Sequence, residues 1–167
     1  MATDTGVRAW IGLGANLGDP VAQVRDALRD LDAIEATRLV RASSLYRSAP
    51  WGDIEQPAFV NAVAEVETRL APRELLDALL AIEQRRGRIR DGRRWGPRRL
   101  DLDLLVHGDR RMAEDGLVLP HPHLAERAFV LMPLAEIAPG LHVPGVGIVA
   151  DLLARIDATP CERLPSA

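Results

Sequence analysis

Apolar alternation with a period of two and apolar stripes with a period near 3.6 succeed one another along this chain in a fixed order. That order restricts the fold more than any single motif does. Val7 to Leu13 reads as a short buried strand ending in glycines. Asp19-Pro20 supplies an N-cap and a first helical residue, and Val21, Val24, Leu28 and Leu31 follow on one helical face. Thr37 to Ser48 is extended, and the segment APWGDIEQP is a turn-rich loop. From Phe59 to Leu70 the residues alternate, with Val60, Ala62, Ala64 and Val66 on one side and Phe59, Asn61, Val63 and Glu65 on the other. Pro72 opens a second helix carrying Leu75, Leu76, Leu79, Leu80 and Ile82, and Gly87 is placed to end it. Arg99 to His107 is the clearest strand, with Leu100, Leu102, Leu104 and Val106 on one face and Asp101, Asp103 and Leu105 on the other.

Strand, helix, strand, strand, helix, strand is the split βαβ plan. It predicts an α+β, ferredoxin-like βαββαβ core: an antiparallel sheet with both helices on one face. Beyond about Gly108 come HPHLAERAF and helical stretches near Leu131–Ile137 and Val149–Ile156, read as a C-terminal extension on the same domain. The 167 residues are expected to form one domain, 1–167.

The lone Cys161 excludes an intramolecular disulfide framework and is expected to be a bystander thiol. The N-terminus has no secretory pattern and no apolar run is long enough to span a membrane. A cytoplasmic, monomeric protein is the expectation. Net charge is −3, yet every basic residue is Arg, and eight arginines fall between Arg85 and Arg99. Guanidinium is a permanently charged planar fork suited to phosphate oxygens. A locally basic segment on a mildly acidic chain points to a small anionic ligand more than to a long polyanion.

Asp101 and Asp103 stand two apart on a strand, so both carboxylates project from one side with Cα atoms about 6.6 Å apart. Such a pair repels itself unless a cation sits between, and Mg²⁺ takes oxygen ligands together with substrate phosphates. Alone, D-x-D is a weak sign; the arginine cluster just before it strengthens the metal–nucleotide reading. Trp95, beside Gly96-Pro97 in that charged segment, looks like a stacking surface for a closing loop. Glu83 lies on the apolar side of its helix, either paired with an arginine or used on a ligand. Phe59 and Asn61 share a strand face, an aromatic surface and an amide suited to a flat heterocycle with mixed edges. GLGANLGD is not a Walker loop, because the chain has no Lys; its glycines are expected to permit a tight strand-to-helix turn. His121 is expected to hydrogen-bond a phosphate.

The segments IGLGANLGDP, SSLYRSAPWG, QPAFVNAV, RWGPRRLDLDLLVHG and LPHPHLAERAFVLMPLAEIAP run from Ile11 to Pro139. Together they resemble the 6-hydroxymethyl-7,8-dihydropterin pyrophosphokinase family. The resemblance implies attack of the pterin hydroxymethyl oxygen on the β-phosphorus of ATP, with AMP leaving. It implies that Asp101 and Asp103 hold two Mg²⁺ ions, and that Arg88 and Arg98 act on the transferring phosphoryl groups. It makes Arg90, Arg94, His121 and Arg127 further ATP contacts, with Glu83 and Leu104 lining the nucleotide site. Ser48, Ala49, Trp51 and Asn61 would bind the pterin edge, Phe59 and Phe129 would sandwich its ring, and Trp95 would cover it. Three positions depart from the family pattern: Phe59 is often Tyr, Ala49 is often Pro, and Pro122 stands where an aromatic is common. The partners implied are ATP and the pterin, with neither nucleic acid nor membrane.

Two other classes compete. A single-stranded nucleic-acid-binding module can use the same fold, but Asp101 and Asp103 would repel its phosphates. A D-x-D nucleotide-sugar transferase usually needs a longer chain. The loop from Arg88 to Pro97, with clustered arginines and two glycines, is expected to close over the bound ligands.

Overall fold

The computed structural model of the protein describes residues 6–48, 58–87 and 100–165. Strand β1 (Val7–Ala15) leads through a Gly18 turn with φ of 68° into helix α1 (Pro20–Asp32). Asp19 Oδ1 accepts a hydrogen bond from the Ala22 amide at 3.1 Å, so the residue type read as an N-cap acts as one. Strands β2 (Thr37–Ala42) and β3 (Tyr46–Ser48) follow, then β4 (Phe59–Thr68), α2 (Pro72–Gly87) and β5 (Asp101–His107). At the start of α2, Leu75 N bonds to Ala71 O, and the Glu74 carboxylate accepts from the Ala71 amide at 2.9 Å. That carboxylate supplies the reach-back half of a capping box.

In the sheet β4 lies between β1 and the β2/β3 pair, and β1 lies between β4 and β5, with every pairing antiparallel. This is the expected ferredoxin-like arrangement. One strand of the expected plan is divided. Thr37–Ser48 splits into β2 and β3 because Ser43 Oγ takes the Val63 amide at 2.9 Å, where a backbone carbonyl would otherwise continue the ladder.

The two sheet faces carry different loads. Ile11, Leu13, Ala62, Ala64, Val66, Leu102 and Leu104 point to one side and are sealed by Val24, Ala27 and Leu31 of α1 with Leu75, Leu79 and Ile82 of α2. Each of the buried valine, leucine and isoleucine side chains contributes roughly 1.5–3 kcal/mol. Leu80, expected on the buried stripe, is 44% exposed; the helix turns it away while Leu75 and Leu79 go inward.

The chain beyond β5 covers part of the opposite face. It forms a hairpin of β6 (Met112–Glu114) and β7 (Leu117–Leu119), a 3-10 turn at Leu124–Glu126 and α3 (Ala128–Ile137). A second small hairpin of β8 (His142–Val143) and β9 (Gly147–Ile148) precedes α4 (Val149–Ala154). Leu131 and Leu134 of α3 and Val149 and Leu152 of α4 pack with Trp10, Val63 and Leu105 of the sheet. Glu65, on the same face, is paired instead with Arg8 at 2.7 Å and Arg41 at 3.4 Å.

Strand β10 (Cys161–Arg163) pairs with β3 and lengthens the sheet. Glu136 of α3 fastens this edge, accepting from Ser44 N, Ser44 Oγ and Tyr46 Oη (2.7 Å for the last), with Arg163 nearby at 3.7 Å. Burial works against the Glu136 charge, but these donors outweigh it and hold the carboxyl below its ordinary range. Burial pushes the Cys161 thiol up to about 11, so it stays protonated and unreactive at neutral pH.

His107 is 4% exposed and shares a 3.0 Å hydrogen bond with Leu70 O. Burial lowers its pKa despite that bond. The unfolded chain therefore takes up this proton first, and stability falls as pH drops through the ordinary histidine value of about 6.5. His107→Gln keeps a donor for Leu70 without titrating. Urea unfolding between about pH 7 and 5 should show a shallower loss of stability in that variant than in the parent. Equal slopes would assign the acid sensitivity to other groups.

Candidate active site

Where α3 stops covering the sheet, a cleft of about 480 Å³ opens on that face. Its floor is set by strand register. Gly14 lies opposite Asn61 of β4 on one side and Asp101 of β5 on the other; Gly12 lies likewise between Val63 and Asp103. Both glycines are inside β1 and line the cleft. The expectation that they serve a strand-to-helix turn therefore holds only for Gly18; the strand runs on to Ala15 because β4 and β5 bracket it. A side chain at Gly14 is crowded, since a Cβ there would lie 3.0 Å from Asn61 Nδ2 and the amide would have to give way by a few tenths of an ångström.

The walls come from both sides of the floor. Phe59 and Asn61 of β4, Ser48 at the end of β3, Asp101 and Asp103 of β5, and Arg127 and Phe129 at the start of α3 all line this cleft. Phe59 and Phe129 are half-buried, whereas Ser48 and Asn61 are buried. Arg127 lies over the Phe129 ring, with Cζ 5.6 Å from the centroid, which stacks a cation on the back of an aromatic surface. His123 and Glu126 also line the cleft and form a pair at 3.2 Å. The sequence assigns neither a site role, since two histidines in LPHPHL are weak evidence for a metal; the 3-10 turn after His123, which brings both to the rim, has no strong local signature.

A second, smaller cavity adjoins the first. Leu76, Leu102, Leu104, His121 and Pro122 line it, and Asp103 lines both. His121 is held by its own main chain, with His121 N donating to Leu105 O at 2.9 Å. The His123 amide donates to His121 Nδ1 at 3.2 Å, so the neutral ring carries its proton on Nε2. Burial lowers the His121 pKa and Asp103 only partly restores it, which keeps the ring neutral near pH 7. His121 is thus an Nε2–H donor at the side of a cavity it shares with a carboxylate.

Glu83 accepts from the Leu102 amide at 2.7 Å, tying the last turn of α2 to the strand that carries both aspartates. Of the other expected site residues, Arg88, Arg90, Arg94, Trp95 and Arg98, with Ala49 and Trp51, lie outside the described residues, as does the expected closing loop.

The family model for 7,8-dihydro-6-hydroxymethylpterin-pyrophosphokinase (HPPK) matches residues 10–139. The chain belongs to this family. A Pseudomonas aeruginosa 2-amino-4-hydroxy-6-hydroxymethyldihydropteridine pyrophosphokinase is 48% identical over 160 residues, covering 96% of this chain and 98% of its own. The protein of the same name from Methylorubrum extorquens is 45% identical over 157 residues, covering 94% and 98%. Among solved structures, wild-type Plasmodium falciparum HPPK-DHPS with pterin and p-hydroxybenzoate superposes with a TM-score of 0.71 at 14% identity. That match covers 93% of this chain and 44% of the Plasmodium chain, and supports the fold alone. The matched HPPK range runs from Trp10, within β1, through α3, hence the whole cleft floor, but includes neither α4 nor β10. Among the described residues no helix is long and apolar enough to cross a membrane.

Proposed function

We propose that this cleft is where the chain transfers the pyrophosphoryl group of ATP to 6-hydroxymethyl-7,8-dihydropterin. The observation that carries the reading is the pair of adjoining cavities meeting at Asp103. One is walled by aromatic rings and an amide, the other by aliphatic side chains and a histidine N–H. Two ligands bound there would bring their reacting ends together beside the Asp101–Asp103 pair.

The donor set fits Mg²⁺. Among the described residues no group of three or more His, Cys, Asp or Glu side chains could enclose a metal. Two carboxylates on one strand face leave the remaining positions to phosphate oxygens and water, as Mg²⁺ prefers. Asp101 and Asp103 would hold two Mg²⁺ ions. When bound, the metal neutralises triphosphate charge and aligns the chain of phosphates.

Phe59 and Phe129 bind the pterin ring from the cleft walls, and Asn61 meets its polar edge, with Ser48, Ala49 and Trp51 completing that side and Trp95 covering it. Leu104 and Glu83 belong to the nucleotide side. His121 donates its Nε2–H to a phosphate oxygen, and Arg127, Arg90 and Arg94 add fixed positive charge. Arg88 and Arg98 serve the transferring group with planar forks that match phosphate oxygens. The pterin hydroxyl oxygen bonds to the β-phosphorus with loss of its proton. The bond from that phosphorus to the α–β bridging oxygen breaks, and AMP leaves with the oxygen. Positioning and charge neutralisation supply most of the rate in such transfers. The protein acts as a cytoplasmic monomer on these small molecules.

The test is product identity. Mg-ATP with the reduced pterin should give AMP in step with pterin diphosphate. ADP in place of AMP would mean transfer of the γ-phosphoryl group and would overturn the reading.

A further inference from the structure

We infer that Ser48 is a positioning residue: its hydroxyl fixes which way the Asn61 amide faces and so selects the hydrogen-bonding edge a ligand must present. This rests on the proposal that Asn61 meets the pterin edge. Ser48 and Asn61 are each only 6% exposed, and Ser48 Oγ donates to Asn61 Oδ1 at 2.7 Å. Among the described residues this is the acceptor the Ser48 hydroxyl has. Turning the amide over would place its NH₂ against Ser48 and leave the hydroxyl proton without that acceptor in a buried place, which is costly.

Two further contacts hold the arrangement. Asn61 Nδ2 lies over the bare backbone of Gly14. The Ser48 backbone is fixed within the ladder, opposite Phe59 on one side and Cys161 of β10 on the other. With one Oδ1 lone pair committed to Ser48, Asn61 can offer the cleft one acceptor and the donors of its NH₂. A matching edge carries an N–H beside a carbonyl, as in the lactam of a 2-amino-4-oxo pteridine. A 2,4-diamino pteridine presents a bare ring nitrogen beside an amine at those positions, the reverse pattern, which only the turned-over amide would match.

The experiment measures equilibrium binding of 6-hydroxymethylpterin and of its 2,4-diamino counterpart to the full chain. Ser48→Ala should weaken the pterin about tenfold, the scale of one buried hydrogen bond. It should leave the diamino compound unchanged or tighter, so the preference between the two falls about tenfold. Ser48→Thr, which keeps the hydroxyl, should restore the parent preference. If Ser48→Ala fails to melt cooperatively, Ser48→Cys, with a weaker donor of similar size, replaces it. Equal weakening of both compounds, or no change in either, would overturn the positioning role. In an Asn61→Ala background Ser48→Ala should have no further effect on the pterin; additive losses would mean that the Ser48 hydroxyl, and not only its main chain, touches the ligand. If Asn61→Ala alone bound pterin like the parent, the placement of Asn61 at the pterin edge would fall, and the Ser48 role with it.

Discussion

Asp101→Asn and Asp103→Asn should each lower turnover at least about 100-fold, the scale on which loss of a single charge-stabilising group at a transition state reads. Both aspartates are half-buried on the cleft side of β5, and Leu102 between them is buried on the other side. An amide keeps the shape and the strand while removing the hard anionic ligand. Thermal stability and binding of the pterin without nucleotide should therefore stay near the parent values. The two variants should also differ in nucleotide affinity. Asp103 lines both cavities and Asp101 only the larger one, so Asp103→Asn should weaken Mg-ATP more. Parent turnover in both variants at limiting Mg²⁺ would remove the aspartates from the metal site.

Gly14→Val carries the second large effect. The residue is a floor position, flanked in register by Asn61 and Asp101. A Cβ alone would lie 3.0 Å from Asn61 Nδ2, and the valine methyls would project further into the space a ligand ring needs. Overpacking of this kind costs about 1–3 kcal/mol, which as a binding penalty is roughly 5- to 160-fold in pterin affinity. Valine suits a strand, so secondary structure should be retained by circular dichroism. Gly12→Ala gives the contrast: a Cβ there would meet Leu105 at 3.6 Å, an ordinary contact. It should cost far less. Equal pterin affinity in Gly14→Val and the parent would show that the ring does not rest on this floor.

The expectations that held rest on local periodicity. Leu100, Leu102 and Leu104 against Asp101 and Asp103 is a pattern that a strand with one buried face must show, and β5 shows it. The Asp19 cap and the Pro72 helix start are likewise local chemistry. What sequence alone misplaced depends on partners far along the chain. Gly12 and Gly14 resemble turn residues until β4 and β5 are seen pairing on both sides of them. The break between β2 and β3 depends on Ser43 meeting Val63, and β10 exists because Cys161 finds Ser48. Leu80 fits an apolar stripe by spacing, yet faces outward because the inward arc of α2 is filled by Leu75, Leu79 and Ile82. The apolar-side position of Glu83 points to an arginine or a ligand; the structure adds the backbone amide of Leu102, which spacing does not reveal. The spacing puts Phe59 and Asn61 on one strand face, and the structure brings both together with Phe129 along one cleft, but Ser48 holding Asn61 requires a distance.

The two-faced sheet has a consequence for mutational tolerance along β1. Ile11, Leu13 and Ala15 point into the helix-covered core, while Gly12 and Gly14 line the cleft. A saturation library through residues 11–15 scored both for protein abundance and for growth without external folate should show loss with a period of two. Polar substitutions at the odd positions should remove the protein itself, through unsatisfied burial. Bulky substitutions at the even positions should leave abundant but inactive protein, with Gly12→Ala the mild exception. Abundance and fitness should then part company at every second residue, so that the strand records its own orientation in a growth assay.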